Sequence, residues 1–152
     1  MTAVRLCYLF RMSACELCDS AGGEPLWEDA VCRVIRVGGG EGAAFPGFCR
    51  VIWKAHVAEM SDLTADERHH LLDVVHAVER AVRSAVQPDK INLASLGNVV
   101  PHLHWHVIPR WRNDSHFPAP IWAPATRPVP ARRQPDSRAL AVALSQTLGG
   151  QT

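Results

Sequence analysis

Residues 99–110 have the sequence VVPHLHWHVIPR, and this stretch decides the fold. A run of β-branched, apolar and aromatic residues closed by prolines is typical of a short strand. Alternate side chains of a strand share a face, so we expect His102, His104 and His106 in one row, about 6.5–7 Å apart. The opposite face, which should pack into the core, consists of Leu103, Trp105 and Val107. One face of this strand therefore supports the fold and the other carries three imidazoles.

Imidazole acts near neutral pH as a nucleophile, a general acid or base, or a metal ligand. A single histidine on a strand is most often a plain surface or core residue. Three of the chain's eight histidines on one face favour a chemical site instead. From the residues alone, that site is either a nucleophilic centre or a set of ligands for one catalytic zinc. The second choice needs a bent strand, because His102 and His106 are far apart on a straight one.

The order His-φ-His-φ-His-φ-φ, with φ apolar, resembles the signature of the histidine triad (HIT) nucleotide hydrolases and transferases. This chain matches it at every position from His102 to Ile108. The resemblance covers roughly Cys15 to Trp122 and is to small bacterial-type members with a Cys-x-x-Cys pair. It implies an α+β fold with a mainly antiparallel sheet of about five strands. One long helix should cross the sheet, and a short helix should end the chain.

The same resemblance implies cleavage of a nucleotidyl group at its α-phosphate through a covalent nucleotidyl-histidine. His104 would attack the phosphorus as a neutral imidazole whose other ring nitrogen donates to a backbone carbonyl. His106 would hydrogen-bond the phosphate or the bridging oxygen, and His102 completes the catalytic set. The implied substrates are nucleoside phosphoramidates, dinucleotides and related nucleotidyl conjugates.

Further substrate contacts follow from the resemblance. The residues expected at the phosphate are Asn92, Asn98, Val99 and Val100. Val99 stands where the family usually has Ser or Thr and cannot donate a hydroxyl hydrogen bond. Phe48 would line or back the base pocket, with plain core packing as the alternative. Glu41 is the candidate for the ribose, where the family usually has Asp or Asn. These departures keep a non-catalytic nucleotide-binding module open as an alternative function.

Cys15 and Cys18 form a Cys-x-x-Cys pair, which supplies half of a tetrahedral zinc site. An odd total of five cysteines with this spacing favours a reducing compartment over a disulfide framework. A redox dithiol is an alternative, but no thioredoxin-like pattern surrounds the pair. The resemblance implies His56 and His102 as the other ligands of a structural zinc. Otherwise the cysteines are free and the two histidines are only hydrogen-bonded.

Length and charge limit the class of protein. A chain of 152 residues with 47% hydrophobic residues fits one compact domain. A net charge of +1 gives no electrostatic case for nucleic acid or a membrane surface. No apolar run approaches the roughly 20 residues that span a bilayer, and no signal peptide is evident. We expect a cytoplasmic protein that binds a nucleotide, and the resemblance implies a homodimer.

The rest of the chain is divided by its turn signals. We expect an N-terminal extension (1–14), a HIT domain (15–122) and a proline- and arginine-rich arm with a final helix (123–152). Thr64 and Glu67 form a capping box that begins the long helix, and Pro88 ends it. The other predicted strands are 27–37, 48–54 and 91–96. The glycines of residues 38–42 predict a bare turn with no helix after it.

Overall fold

The computed structural model describes residues 15–149, so the predicted extension at 1–14 lies outside the described residues. The strands are β1 (Glu24–Glu28), β2 (Cys32–Arg36), β3 (Cys49–Trp53), β4 (Lys90–Ala94) and β5 (His104–Arg110). The helices are α1 (Glu16–Asp19), α2 (Gly39–Ala44), α3 (Ala65–Val86) and α4 (Ser137–Leu148), with a 3₁₀ turn at Met60–Asp62. Within this part of the chain, no helix combines the length and the apolar character that crossing a membrane requires.

The five strands form one antiparallel sheet in the order β1-β2-β3-β5-β4. This arrangement confirms the predicted α+β class with a long helix and a C-terminal helix. The strand of the histidines, β5, lies between β3 and β4, so it has a neighbour on both sides. Side chains on its histidine face can therefore be flanked by residues from two other strands.

The long helix α3 begins at the predicted capping box. The backbone N–H of Thr64 donates to Glu67 Oε2 at 2.7 Å, and the N–H of Glu67 donates to Thr64 Oγ1 at 3.3 Å. The backbone N–H and the hydroxyl of Thr64 both donate to Glu67 Oε2, and these two hydrogen bonds lower the pKa of Glu67. The buried face of α3 consists of Leu71, Val74, Val75, Ala77, Val78 and Val82. It packs on the side of the sheet that bears Leu103 and Val107, and it leaves the histidine side of β5 uncovered by this helix.

The segment predicted as one strand over residues 27–37 is a hairpin, β1 and β2. Asp29 makes the turn, because its Oδ1 accepts from the backbone N–H of Val31 at 2.8 Å and of Cys32 at 2.6 Å. An aspartate that bonds its own following backbone in this way stabilises a turn. Its other oxygen lies 2.6 Å from Nε2 of His70. His70 therefore contacts the hairpin, whereas His69 and His76 are exposed as expected for a solvated helix face.

The glycine-rich segment was wrongly predicted to be a bare turn, since it forms the short helix α2. Glycine disfavours helices, so its frequency here hid the helix from a propensity argument. Two tertiary contacts overcome that preference. Phe45 is buried at the end of α2, and a Cβ on Gly42 would meet the carbonyl oxygen of Val37 at 2.1 Å. Glycine at 42 thus allows the helix to pass close to the β2 backbone.

A buried ion pair organises the chain after β5. The guanidinium of Arg110 donates to both carboxylate oxygens of Asp114, with Nε···Oδ2 at 2.8 Å and Nη2···Oδ1 at 3.1 Å. It also donates to Asn92 Oδ1 at 2.7 Å and to the carbonyl oxygen of Ala119 at 2.8 Å. The carboxylate accepts from three backbone N–H groups as well, those of Trp111, His116 and Phe117. This network holds residues 111–119 against the sheet.

Candidate active site

The two faces of β5 differ as its alternating sequence predicts. Leu103 and Val107 are buried in the core beneath α3, and Trp105 packs against it. His104 and His106 lie on the other face, and their ring centroids are 4.8 Å apart with an interplanar angle of 73°. The rings are closer than the strand repeat alone predicts, so they lean toward each other. Two buried imidazoles therefore meet on the face of the sheet that points away from α3.

His102 is not in the predicted row. It lies just before β5, and its Nε2 donates to the carbonyl oxygen of Trp53 at 2.6 Å. Its backbone N–H bonds the carbonyl of Val100 at 2.8 Å, which bends the chain ahead of the strand. Its carbonyl oxygen accepts from Nδ1 of His104 at 2.6 Å. His102 thus faces away from the other two rings but fixes the orientation of His104 through its backbone.

The environment keeps His104 and His106 neutral near pH 7. Burial lowers the pKa of His104, against the hydrogen bond to the His102 carbonyl, and the nearby charge of Arg50 lowers it further. Burial, with the charges of His104 and Arg50, lowers the pKa of His106 to about 3. Because the proton of His104 is on Nδ1, its Nε2 has a free lone pair. A neutral imidazole with one free nitrogen is the nucleophilic form.

Both histidines open into a pocket of about 430 Å³. Its walls are the start of α1, the loop before the histidines, β3, and the chain after β5. The lining residues are Glu16, Leu17, Arg50, Leu96, Gly97, Asn98, Val99, Val100, His104, His106 and Trp122. Arg33 holds α1 in place, because its Nη2 donates to the carbonyl oxygens of Leu17 at 2.5 Å and Ser20 at 3.1 Å. The pocket is large enough for a small molecule to reach Nε2 of His104.

Of the residues expected at the substrate, three line this pocket and three do not. Asn98, Val99 and Val100 form its loop wall, and Val99 is 93% exposed. The other three have different positions. Phe48 is buried and its ring centroid is 5.8 Å from that of His106, so it backs the pocket. The carboxylate of Glu41 accepts a hydrogen bond from Arg50. The side-chain oxygen of Asn92 accepts one from Arg110, because that buried guanidinium needs acceptors.

Arg50 is a residue at the site that the sequence analysis did not identify. It lies directly opposite His106 in the β3–β5 register, and its Nη2 is 3.3 Å from Glu41 Oε2. Its guanidinium carbon is 5.7 Å from the ring centre of Phe48. The signal was present, because Arg50 shares a strand face with Phe48 and Ile52, where an apolar residue is expected. It gives the pocket a positive charge beside both histidines.

A second group of side chains next to the site has the composition of a metal centre. Nδ1 of His102 lies 3.4 Å from Sγ of Cys15 and of Cys18, and 3.3 Å from Nδ1 of His56. Sγ of Cys18 is 3.4 Å from Nδ1 of His56. Tetrahedral zinc, with usual Zn–S and Zn–N bonds, separates such nitrogen–sulfur and nitrogen–nitrogen pairs by about 3.3–3.6 Å. The four residues therefore fit one metal ion.

The orientation of His102 supports that fit. Its Nε2–H donates to the carbonyl of Trp53, so Nδ1 is the ring nitrogen that points toward the two sulfurs. Metal-binding histidines usually donate their second nitrogen to such a carbonyl. The geometry does not fit the alternative of one catalytic zinc held by all three strand histidines. Nδ1 of His102 faces the cysteines and Nδ1 of His104 is bound to a carbonyl, so the three rings do not converge.

Comparison with known proteins gives a consistent picture. Residues 41–113, just under half of the 152-residue chain, match the family model for the HIT domain. An AP-4-A phosphorylase of Mycobacterium tuberculosis is 31% identical over 47% of this chain and 40% of its own length. A bis(5'-adenosyl)-triphosphatase of Saccharomyces cerevisiae is 32% identical over 44% of this chain and 35% of its length. The chain thus spans less than half the length of these two curated relatives.

Solved structures agree over most of the chain. A histidine triad protein from Marinobacter aquaeolei is 25% identical, with a TM-score of 0.64 over 84% of this chain and 90% of that one. One from Sinorhizobium meliloti, at 24% identity and a TM-score of 0.65, has the same fold. The family model, the fold and the three-histidine sequence all lead to one assignment. Residues 41–113 match the HIT domain, and the described part of the chain has the fold of the histidine triad proteins.

Proposed function

We propose that the chain is a nucleotidyl hydrolase or transferase that cleaves at an α-phosphate through a covalent intermediate on His104. One observation carries the proposal. Nδ1 of His104 is tied to the His102 carbonyl at 2.6 Å, which leaves Nε2 free in an open pocket. The relatives named for dinucleotides support the same class of substrate. Phosphoramidates and other nucleotidyl conjugates belong to the proposed range too.

In the proposed reaction, Nε2 of His104 forms a bond to the α-phosphorus while the bond from phosphorus to the leaving atom breaks. The leaving group departs with that electron pair, and His106, neutral at pH 7, donates a hydrogen bond toward it or the phosphate. A leaving group such as ammonia takes up its proton from solvent. Water or another acceptor then attacks the phosphorus and releases a proton to solvent, while the phosphorus–nitrogen bond breaks and its electron pair returns to Nε2. His104 returns to its neutral form. Asn98, Val99 and Val100 would hold the phosphate, with the backbone N–H of Val99 replacing a hydroxyl.

Arg50 would stabilise the negative charge on the phosphoryl oxygens, since its guanidinium faces the same pocket. We expect Arg50→Leu to lower kcat/KM by about 10-fold, less than a fully buried oxyanion donor because Arg50 is partly exposed and paired with Glu41. Steady-state kinetics on a dinucleoside polyphosphate measure the effect. Arg50→Lys should recover part of the rate by keeping the charge. Wild-type kinetics in the leucine variant would exclude this role.

The function is tested with a substrate panel on the full chain. Adenosine 5'-phosphoramidate, diadenosine triphosphate and diadenosine tetraphosphate should each release a mononucleotide. Brief treatment with a chelator should leave the rate unchanged if the chemistry belongs to His104. Loss of activity in step with a loss of unfolding free energy would reflect removal of a structural metal, whereas rapid, metal-reversible loss of activity at unchanged stability would favour a catalytic metal. Nucleotide binding without turnover of any substrate would identify a non-catalytic binding module. That alternative is tested because Val99 lacks the hydroxyl that the family usually has at this position.

We propose that Cys15, Cys18, His56 and His102 hold a structural zinc ion. When bound, zinc would fix α1 against the start of β5, and so position the pocket wall and the His102 carbonyl. We expect about one zinc per chain by metal analysis. His56→Ala should lose the metal and about 2.7 kcal/mol of unfolding free energy, if free zinc is 100-fold above Kd. His76→Ala, an exposed histidine on α3, should retain both. A metal-free wild-type protein from zinc-supplemented expression would refute the site.

The resemblance also implies a homodimer in the cytoplasm, and both stay predictions. The strand β4 is at one edge of the described sheet. Leu93, on this strand, is 42% exposed, and Leu96, just after it, is 49% exposed. An exposed edge with apolar side chains is suited to pairing with a second chain. Light scattering should then give twice the mass of the chain, and a monomer at all concentrations would contradict the dimer.

A further inference from the structure

The order of the strands gives the histidine pocket two different flanks. On the β3 side are Arg50, its partner Glu41 and the buried ring of Phe48. On the β4 side is the indole of Trp122, which also lines a neighbouring cleft along β4. A substrate whose phosphorus lies over His104 therefore has one part beside a charged flank and the other beside an aromatic flank.

Trp122 is held at this position by the chain that precedes it. Ile121 is buried in the core on the histidine side of the sheet, and Arg110 bonds the carbonyl of Ala119. A turn follows, in which the N–H of Ala123 donates to the carbonyl of Pro120 at 3.0 Å. The indole is 45% exposed although its neighbour Ile121 is buried. The fold thus maintains a large aromatic surface in contact with solvent.

The indole also contacts a triad histidine. The ring centroids of Trp122 and His106 are 5.1 Å apart, and the rings meet at 72°. His106 is the residue proposed to bond the phosphate or the leaving atom. A group that leaves the phosphorus on this side passes the indole. An exposed aromatic face next to a phosphate site is suited to a nucleobase, since every base has a π-face.

We propose that Trp122 stacks the base of the departing nucleotide, so that the site prefers dinucleoside polyphosphates to nucleotides with small leaving groups. This inference rests on the proposed function. It assigns the attacked nucleotide to the β3 side, where Arg50 lines the pocket and the ring of Phe48 backs it. The bond from the α-phosphorus to the bridging oxygen breaks, and the electron pair leaves with a nucleoside polyphosphate. Trp122 holds the base of that product.

The test compares one substrate that has a second base with one that lacks it. For diadenosine tetraphosphate, Trp122→Ala should lower kcat/KM about 5- to 150-fold, the range for stacking one base on an aromatic ring. For adenosine 5'-phosphoramidate, whose leaving group is ammonia, kcat/KM should stay at the wild-type value. Trp122→Phe should restore most of the loss. Trp111→Ala removes a tryptophan from the same segment but outside the pocket, and should change neither substrate.

A binding measurement keeps this test separate from catalysis. In a His104→Ala background, diadenosine tetraphosphate should quench the fluorescence of Trp122, and the quench should disappear when Trp122→Phe is added. AMP should give no such difference. An equal loss on both substrates, no loss on the dinucleotide, or an AMP-dependent quench of Trp122 would overturn the stacking role. If the wild-type chain turns over neither substrate, the proposed function fails while the binding comparison still decides the role of Trp122.

Discussion

A His104→Ala variant should lose at least about 10⁴-fold in kcat, because it removes the atom that forms the bond to phosphorus. Nε2 of His104 is the free nitrogen of a neutral ring whose other nitrogen is held by the His102 carbonyl. The neighbouring ring of His106 has a different orientation, so it cannot replace that nitrogen. Initial rates on diadenosine tetraphosphate and adenosine 5'-phosphoramidate measure the loss.

Binding is the control for this variant. AMP affinity, measured by calorimetry, should stay near that of the wild type, since the pocket loop and Arg50 are unchanged. Circular dichroism should show the same fold. His76→Ala, which removes an exposed imidazole far along α3, should retain full activity. Wild-type turnover by the His104 variant would rule out nucleophilic catalysis at this residue.

The second large effect concerns stability. Asp114→Asn should cost about 3–5 kcal/mol of unfolding free energy, because it leaves the buried Arg110 guanidinium without its carboxylate. The amide also replaces one of the two acceptor oxygens. Oδ1 accepts from Arg110, His116 and Phe117, and Oδ2 accepts from Arg110 and Trp111. Urea denaturation measures the loss. Glu24→Gln breaks the exposed pair with Arg36 and should cost no more than about 1 kcal/mol.

The same carboxylate predicts a dependence on pH. Burial alone would raise the pKa of Asp114, but hydrogen bonds from Arg110 and the backbone lower it to about 2. A pKa lowered by folding adds stability above the ordinary value near 3.8 and loses it as the pH falls toward 2. The wild type should therefore lose stability over that interval. Asp114→Asn should be less dependent on pH there, and an identical slope in both proteins would contradict the assignment.

Local signals predicted much of this fold. The alternation around Trp105 correctly separated the core face of β5 from the face of His104 and His106. The capping box at Thr64 located the start of α3, since both of its hydrogen bonds lie within four residues. The cysteine pair and the resemblance together indicated the four residues that the fold brings into metal-binding range. In each case the deciding contacts are close in sequence or belong to a known motif.

The errors arose where distant contacts decide the structure. The carbonyl of Gly42 in α2 accepts from the side chain of Gln134, and the bend at His102 includes a bond to Trp53. Arg110 donates a hydrogen bond to the side-chain oxygen of Asn92 while Asp114 holds its guanidinium, and no local sequence pattern indicates this contact. Trp122 contacts His106 because the same Arg110 network holds the chain after β5 against the sheet. Tertiary packing determines the positions of these residues, and the spacing of residues along the sequence does not predict it.

The central claim is that His104 forms a covalent bond to the α-phosphorus, and quenching the wild-type enzyme during turnover in alkaline denaturant, in which a phosphorus–imidazole bond survives, tests it most directly. Mass spectrometry of the digested protein should find one nucleoside monophosphate on the peptide that contains His104, and none in the His104→Ala variant. An adduct on another residue, or single-turnover cleavage with no adduct at any time, would contradict the mechanism.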